Sequence, residues 1–132
     1  MIERMLADAR ARIRRYPPSE AAHADVVLVD TRSNDERARN GIVPGSVHVP
    51  LSVLEWRCDP ESGYANPNLA GKTLALLCAH GWSSSLAAAR LVELGVDAGD
   101  VEGGFAAWRD AGLPVAPAPA PIDGLPGMGG RQ

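Results

Sequence analysis

Cysteine and aromatic residues are scarce in this 132-residue chain, and the small number of cysteines excludes some classes of small protein. Only 5% of the residues are aromatic, and the two cysteines, Cys58 and Cys78, can form at most one disulfide. Neither belongs to a CxxC pair or to a Cys/His cluster with the spacing of zinc ligands. A disulfide-stapled scaffold and a zinc module are therefore excluded, and no metal site is expected.

Long apolar runs and an excess of positive charge are also lacking. The longest apolar stretch covers residues 74–79, far fewer than the ~20 residues of a membrane-spanning helix. The N-terminal arginines are mixed with acidic residues and are followed by no apolar block, so no export signal is predicted. A net charge of -3 makes nucleic acid and membranes unexpected partners. With two cysteines, no evident pairing and no export signal, a reducing cytoplasm is the expected compartment.

What the chain does contain is the content of one domain, with 45% hydrophobic and 22% charged residues. We divide it into an N-terminal helical segment (residues 1–24), a core (residues 25–114) and a Pro/Gly-rich tail (residues 115–132). The tail has few apolar side chains to bury, so it is predicted to be disordered.

The pattern of apolar residues predicts strands that alternate with helices. Apolar residues at helical spacing from Ile2 to Ile13 indicate an amphipathic first helix, and Ser33 followed by Glu36 indicates a capping box. Apolar runs without alternation are typical of strands in a parallel sheet covered on both faces. The predicted helices cover residues 2–15, 18–24, 34–39, 84–94 and 105–111, and the predicted strands cover residues 26–29, 47–49, 73–78 and 100–102. The fold class is therefore α/β, with helices on both faces of the sheet.

The chemistry is expected where parallel strands end, because ligands bind beyond their carboxyl ends. Cys78 lies where a buried strand passes through a short loop into a helix. Backbone N–H groups and the helix dipole at such a place favour the thiolate, and Gly81 allows close approach of the backbone. Alternatively, Cys78 is a small buried residue that completes a core strand. The local pattern leaves both alternatives open.

Four segments in a fixed order resemble the rhodanese family. They are Val29-Asp30-Thr31-Arg32, residues 41–46 with Pro50 after them, Leu76-Leu77-Cys78 with Gly81 and Ser84, and Glu102-Gly103-Gly104-Phe105 with Trp108. Each is weak alone, but together they span nearly the whole stretch from residue 27 to residue 114. The resemblance implies a rhodanese-like parallel sheet of about five short strands.

The resemblance also implies a sulfurtransferase in which Cys78 carries sulfur as a persulfide. The loop that would cradle the sulfur comprises Ala79, His80, Gly81, Trp82, Ser83 and Ser84. The implied partners are a small-molecule or protein sulfur donor and a thiol acceptor, with no metal or organic cofactor. The alternative is a non-catalytic sulfur carrier or protein-interaction module of the same fold. The oligomeric state is left open.

Two positions depart from the family pattern. The loop arginine common in thiosulfate-using members is replaced by Ser83, and Ile42 stands where the family has a histidine. Without a loop cation we expect weak thiosulfate activity and a preference for an organic thiol or persulfide donor. The same absence disfavours the related cysteine phosphatases, which clamp phosphoryl oxygens with a loop arginine.

Several residues near the predicted site have two interpretations. Asp30 is expected to hold the loop edge, whereas Arg32 either supplies a cation or forms an ion pair. His80 either contacts the donor or is exposed, and Trp82 either forms a lip over the sulfur or packs on the base of the loop. Cys58 could resolve the persulfide, but it has no amide cradle. The glycine pair at residues 103–104 is expected to allow a tight turn, Phe105 and Trp108 to face the core, and the basic face of the first helix to be solvated.

Overall fold

The computed structural model describes residues 1–120. The chain forms six α-helices, α1 (Ile2–Arg10), α2 (Pro18–Ala21), α3 (Asn34–Asn40), α4 (Leu54–Cys58), α5 (Ser83–Glu93) and α6 (Gly104–Asp110). The strands are β1 (Arg15–Tyr16), β2 (Val27–Asp30), β3 (Val47–His48), β4 (Leu74–Leu77) and β5 (Ala98–Val101), and one 3-10 turn covers Leu51–Val53. No helix in this part of the chain is long and apolar enough to cross a bilayer.

The five strands form one parallel sheet in the order β1-β5-β4-β2-β3. The central strand β4 is buried at all four positions, as its unbroken apolar run predicts. Leu74 and Leu76 pack in the cluster that contains α5 residues, whereas Ala75 and Leu77 pack in the cluster that contains α6 residues. Both faces of the sheet are therefore covered, which confirms the predicted α/β fold.

The N-terminal helix is shorter than predicted. It ends at Arg10 rather than residue 15, and Arg15 and Tyr16 instead form the edge strand β1, which pairs with β5. Tyr16 is 3% exposed and packs among α2 and α6 residues, so burial of its ring holds the segment on the sheet. A strand of two residues has no period that a sequence pattern can reveal.

The chain beyond α6 returns to the domain. Ala116 forms an antiparallel bridge with Ile42, and Trp108 Nε1 donates a hydrogen bond of 2.9 Å to the Pro114 carbonyl. The structure differs here from the expectation of an unpacked tail from residue 115. The predicted disorder of residues 121–132 concerns residues outside those that the structure describes.

Candidate active site

Cys78 lies at the carboxyl end of β4, in the loop that leads into α5. Its Sγ accepts hydrogen bonds from the backbone N–H of Gly81 at 3.1 Å and of Ser84 at 3.4 Å. The residue is 6% exposed, and both donors point at the sulfur. The sequence therefore brings the thiol and the loop amides together as a small anion-binding cradle.

The cradle determines the ionisation of the thiol. Burial alone would raise the pKa of Cys78, because it disfavours the charged sulfur. The hydroxyls of Ser84 and Ser83 and the backbone N–H groups of Ser84 and Gly81 outweigh burial and lower that pKa below its usual value. A lowered pKa gives more thiolate, which is the nucleophilic form.

The turn between β5 and α6 supports the loop from behind. Gly103 and Gly104 have positive φ angles of 71° and 63°. A Cβ on Gly104 would lie 2.3 Å from the Cys78 carbonyl oxygen and 2.7 Å from the Gly81 nitrogen. Phe105 N–H donates to the Cys78 carbonyl at 2.8 Å. The glycine pair thus has the structural role that the sequence predicts for it.

A second anchor lies at the end of β2. Asp30 is fully buried, accepts the Arg32 backbone N–H at 3.1 Å, and pairs with the Arg32 guanidinium at 2.9 Å and Arg37 at 3.2 Å. Arg32 also lies over the Phe105 ring, 3.9 Å from its centroid, and is 3% exposed. The ion pair with Asp30 is therefore the alternative that the structure shows for Arg32.

A cleft of about 370 Å³ opens above Cys78. Its lining combines hydroxyl and apolar side chains with the acidic Glu36 and the paired Arg32, and it comprises Thr31, Arg32, Ser33, Glu36, Pro50, Leu51, Ser52, Cys78, Ala79 and Ser83. A larger groove of about 700 Å³ lies at the opposite, amino ends of β4 and β5. None of the predicted site residues lines it, so the cleft at Cys78 is the candidate site.

The two large loop side chains face solvent. His80 is exposed, and Trp82 is 67% exposed. Their rings lie 5.8 Å apart at an angle of 41°, so Trp82 contacts His80 rather than the base of the loop. Both stand at the rim of the site, outside the lining of the cleft.

A buried polar cluster beneath the loop was not foreseen from the sequence. Asp100 in β5 is fully buried and accepts hydrogen bonds from the hydroxyls of Ser84 at 2.8 Å and Ser85 at 2.7 Å. It also pairs with Arg15 at 2.9 Å. The Ser84 hydroxyl has one proton and lies within reach of two acceptors, Asp100 and the Cys78 sulfur. An acidic residue within a buried strand is the signal that could have revealed this cluster, because its charge requires a partner.

Cys58 has no part in this arrangement. It is 2% exposed in the apolar cluster beneath α5, and it lines a small cavity with Lys72 and Asp97, which precede β4 and β5. Burial raises the pKa of Cys58 to about 12, with a smaller contribution from Glu55. Cys78 lies at the other end of β4, which at ~3.3 Å per residue places the two thiols too far apart for a disulfide without rearrangement.

No group of three or more His, Cys, Asp or Glu side chains suited to a metal ion occurs within residues 1–120. The thiol, the amide cradle and the cleft are the functional groups that the described chain presents. They can hold an anionic sulfur at Cys78.

Comparisons with known proteins agree with this fold. A family model described as the rhodanese-like domain matches residues 18–111. A protein of unknown function from Rhodopseudomonas palustris, named as a possible tyrosine phosphatase, is 37% identical with a TM-score of 0.80, over 87% of this chain and 93% of that chain. None of the curated proteins matches the chain.

Two further solved structures share the fold. A rhodanese-related protein from Thermoplasma volcanium is 28% identical with a TM-score of 0.65, and the alignment covers 78% of this chain and 97% of that chain. A thiosulfate sulfurtransferase from Pseudomonas aeruginosa is 22% identical with a TM-score of 0.63, over 80% of this chain and 20% of that chain. At that identity the second likeness shows the fold alone.

Proposed function

The chain belongs to the rhodanese-like domain family, and from this premise we propose that it is a sulfurtransferase that carries sulfur as a Cys78 persulfide. The observation that supports the proposal most is the cradle at Cys78, where two backbone N–H groups donate to Sγ and the pKa of the thiol is lowered. The thiols of Cys58 and Cys78 are both free, which suits a reducing compartment such as the cytoplasm.

The proposed reaction consists of two displacements. In the first, the Cys78 thiolate attacks the sulfane sulfur of the donor, so that an S–S bond to Cys78 forms and the donor's own bond to that sulfur breaks. The donor fragment leaves with the electron pair and takes a proton from water. In the second, an acceptor thiolate attacks the outer sulfur and Cys78 leaves as the thiolate. The loop amides stabilise the negative charge in both states.

The donor that suits this cleft is an organic persulfide, or a thiol such as 3-mercaptopyruvate whose C–S bond breaks so that the carbon fragment leaves with the electron pair, rather than thiosulfate. Thiosulfate is a dianion, yet the cleft contains the acidic Glu36, and its one arginine, Arg32, is already paired with Asp30. Position 83 supplies a hydroxyl in place of a cation. A comparison of kcat/KM across donors tests this preference, and thiosulfate as the best donor would contradict it.

Phosphatase activity is the function that the name of the R. palustris protein suggests. A phosphoryl dianion needs a cation that clamps its oxygens. The arginines that contact the loop, Arg10 and Arg15, bind the Gly81 carbonyl and thus belong to the loop's support. We therefore expect no hydrolysis of p-nitrophenyl phosphate above that of a Cys78→Ser variant.

A sulfur carrier without turnover is the second candidate, because the one cation that lines the cleft, Arg32, is paired with Asp30. A carrier would accept one sulfur and keep it until its partner protein is present. An enzyme would continue to turn over with a small thiol such as glutathione as the acceptor. Measuring turnover with excess donor and acceptor separates the two.

The central experiment uses intact mass spectrometry after incubation with thiosulfate, 3-mercaptopyruvate or glutathione persulfide. We expect one added sulfur on the wild type, removable by cyanide or a thiol, and none on Cys78→Ser. The matched control is Cys58→Ala, which should load sulfur as the wild type does. Equal loading of wild type and Cys78→Ser would overturn the proposal and place the sulfur elsewhere.

A further inference from the structure

We propose that Arg10 and Arg15 are positioning residues for the active loop. Both lie outside residues 18–111, which match the family model, so the family assigns them no role. The inference rests on the proposed role of Cys78 as the nucleophile. In this arrangement the positive charge that the loop lacks at position 83 is supplied from behind the loop by the N-terminal segment.

The two arginines converge on one carbonyl group. Arg10 Nη2 donates to the Gly81 carbonyl at 2.9 Å, and Arg15 Nη2 donates to the same oxygen at 3.2 Å. Arg10 Nε also donates to the Ser85 hydroxyl at 3.1 Å. The guanidinium of Arg10 thus joins the loop to the first turn of α5, a geometry that its planar fork of donors permits.

Fixing this carbonyl also fixes the backbone next to the sulfur. Gly81 has a φ of 82°, a conformation that few other residues adopt, and its own N–H donates to Cys78 Sγ at 3.1 Å. Hydrogen bonds on both sides of Gly81 restrain rotation about its two backbone torsions. Because the Gly81 carbonyl and the Trp82 N–H belong to one planar trans peptide, the arginine contacts also fix the direction of that N–H, which points away from the arginines. Loss of the arginine contacts should therefore loosen the cradle.

The positive charges of the two arginines are a second reason to expect that they favour the Cys78 thiolate. The buried Asp100 carboxylate competes with the Cys78 sulfur for the one hydroxyl proton of Ser84, and an unpaired negative charge there would disfavour the thiolate. Arg15 pairs with Asp100, and Arg10 adds a second positive charge beside Ser85. Because these cations are bound to the back of the loop, they favour an anion at Cys78 without offering donors to a substrate anion in the cleft.

The test measures the pH profile of Cys78 alkylation by iodoacetamide in the full chain, with the modified peptide located by mass spectrometry. Arg10→Gln should move the midpoint about one unit to higher pH, which slows alkylation about ten-fold at any pH well below both midpoints. The control is Arg12→Gln, because Arg12 pairs with Glu93 on the surface, at 2.8 Å, and not with the loop in the part of the chain that the structure describes. It should leave the profile unchanged.

Arg15 needs a charge-conserving variant, because Arg15→Gln leaves Asp100 buried without its counter-charge. Arg15→Lys keeps a positive charge beside Asp100 but has no planar fork of donors that contacts Asp100 and the Gly81 carbonyl together. We expect its alkylation midpoint to rise by less than that of Arg10→Gln, with circular dichroism confirming the fold. Folded variants of both kinds whose midpoint equals that of the wild type would overturn the proposal.

Alkylation requires no sulfur donor, so the outcome is separable from that of the sulfur-loading experiment. A shifted midpoint in Arg10→Gln supports the positioning role even if the wild type accepts no sulfur from any donor. An unshifted midpoint contradicts that role even if the wild type loads sulfur on Cys78.

Discussion

The two cysteines of this chain are both almost fully buried, yet their surroundings shift their pKa values in opposite directions. Cys78 is 6% exposed and Cys58 is 2% exposed. The pKa of Cys78 is lowered, because hydroxyl and backbone donors outweigh the effect of its burial. The pKa of Cys58 is raised to about 12, because the effect of its burial among apolar side chains is larger than the opposing effect of Arg57.

The difference shows that hydrogen-bond donors, rather than exposure, account for the opposite pKa shifts of the two thiols. Cys78 lies where β4 ends and the N–H groups of the loop and of α5 are not yet used by the helix. Cys58 ends the short helix α4 and packs against Leu69 and its neighbours in the core. The same side chain is thus the proposed nucleophile in one place and part of the apolar core in the other.

The difference between the two cysteines should decrease most when the active loop after Cys78 loses the support of the turn before α6. In Gly104→Ala the new Cβ would lie 2.3 Å from the Cys78 carbonyl oxygen, so the loop must shift and its donors leave the sulfur. We expect alkylation of Cys78 at pH 7 to fall by about 100-fold and the free energy of unfolding by roughly 3 kcal/mol.

The control for this variant is Gly95→Ala. Gly95 also has a positive φ, 84°, but a Cβ there meets nothing within 4 Å. It should cost about 1 kcal/mol of stability and leave Cys78 reactive. Equal loss of reactivity in both variants would show that backbone strain, not the loop contact, is responsible.

At alkaline pH, the raised pKa of Cys58 should be detectable as a loss of protein stability. A thiol with a raised folded pKa stabilises the protein below the unfolded pKa and loses that contribution as pH rises toward about 12. From an unfolded pKa of about 8.5, this amounts to roughly 2 kcal/mol by pH 10. Denaturant titrations from pH 7 to pH 10 should show the decline in the wild type and a smaller one in Cys58→Ala.

Cys78 should change the free energy of unfolding with pH in the opposite direction to Cys58. Its lowered folded pKa makes a contribution that is present above the unfolded pKa and is lost as pH falls through the folded pKa. The stability difference between the wild type and Cys78→Ala should therefore grow as pH rises toward 8.5, the approximate value for an unperturbed thiol. A difference that shrinks over this range would contradict the assigned direction.

Removing one hydroxyl group from the loop should have a smaller effect on the reactivity of Cys78. Ser83 is a loop residue whose hydroxyl lowers the pKa of Cys78, although its side chain is exposed. Ser83→Ala should slow alkylation at pH 7 by about three-fold, since solvent weakens the lost hydrogen bond. Ser52→Ala, at another wall of the cleft, is the control and should leave the rate unchanged.

At the rim of the site, an effect on donor binding alone is expected. Trp82 is 67% exposed, so Trp82→Ala should not change the thermal midpoint. If its ring contacts an organic donor, KM for glutathione persulfide should rise by about three-fold with kcat unchanged. An unchanged KM would remove Trp82 from the donor site.

Much of the fold follows from local sequence. The apolar run of β4 predicts a buried strand, and Ser33 with Glu36 forms the capping box that the spacing indicates. The glycine pair before α6 predicts a tight turn, which the structure shows beside the loop. In each case the determining residues are neighbours in the chain.

The support of the loop could not be predicted in this way. Arg10 and Gly81 are 71 residues apart, and Arg15 and Gly81 are 66 residues apart. The basic face that the sequence assigns to a solvated helix is divided between α1 and the edge strand β1, and these two of its arginines reach the loop. For Arg32, only the structure distinguishes the ion pair from a free cation, because both alternatives fit the same sequence.

The most direct test of the contrast follows both thiols of the wild-type protein in one sample. Iodoacetamide alkylation would be measured from pH 5 to pH 10 under native conditions, with each site quantified by peptide mass spectrometry. We expect Cys78 to titrate with a midpoint below that of a free thiol, about 8.5, while Cys58 remains unmodified until the protein unfolds. Similar rates at the two sites, or a Cys78 midpoint at or above that of a free thiol, would contradict the central claim.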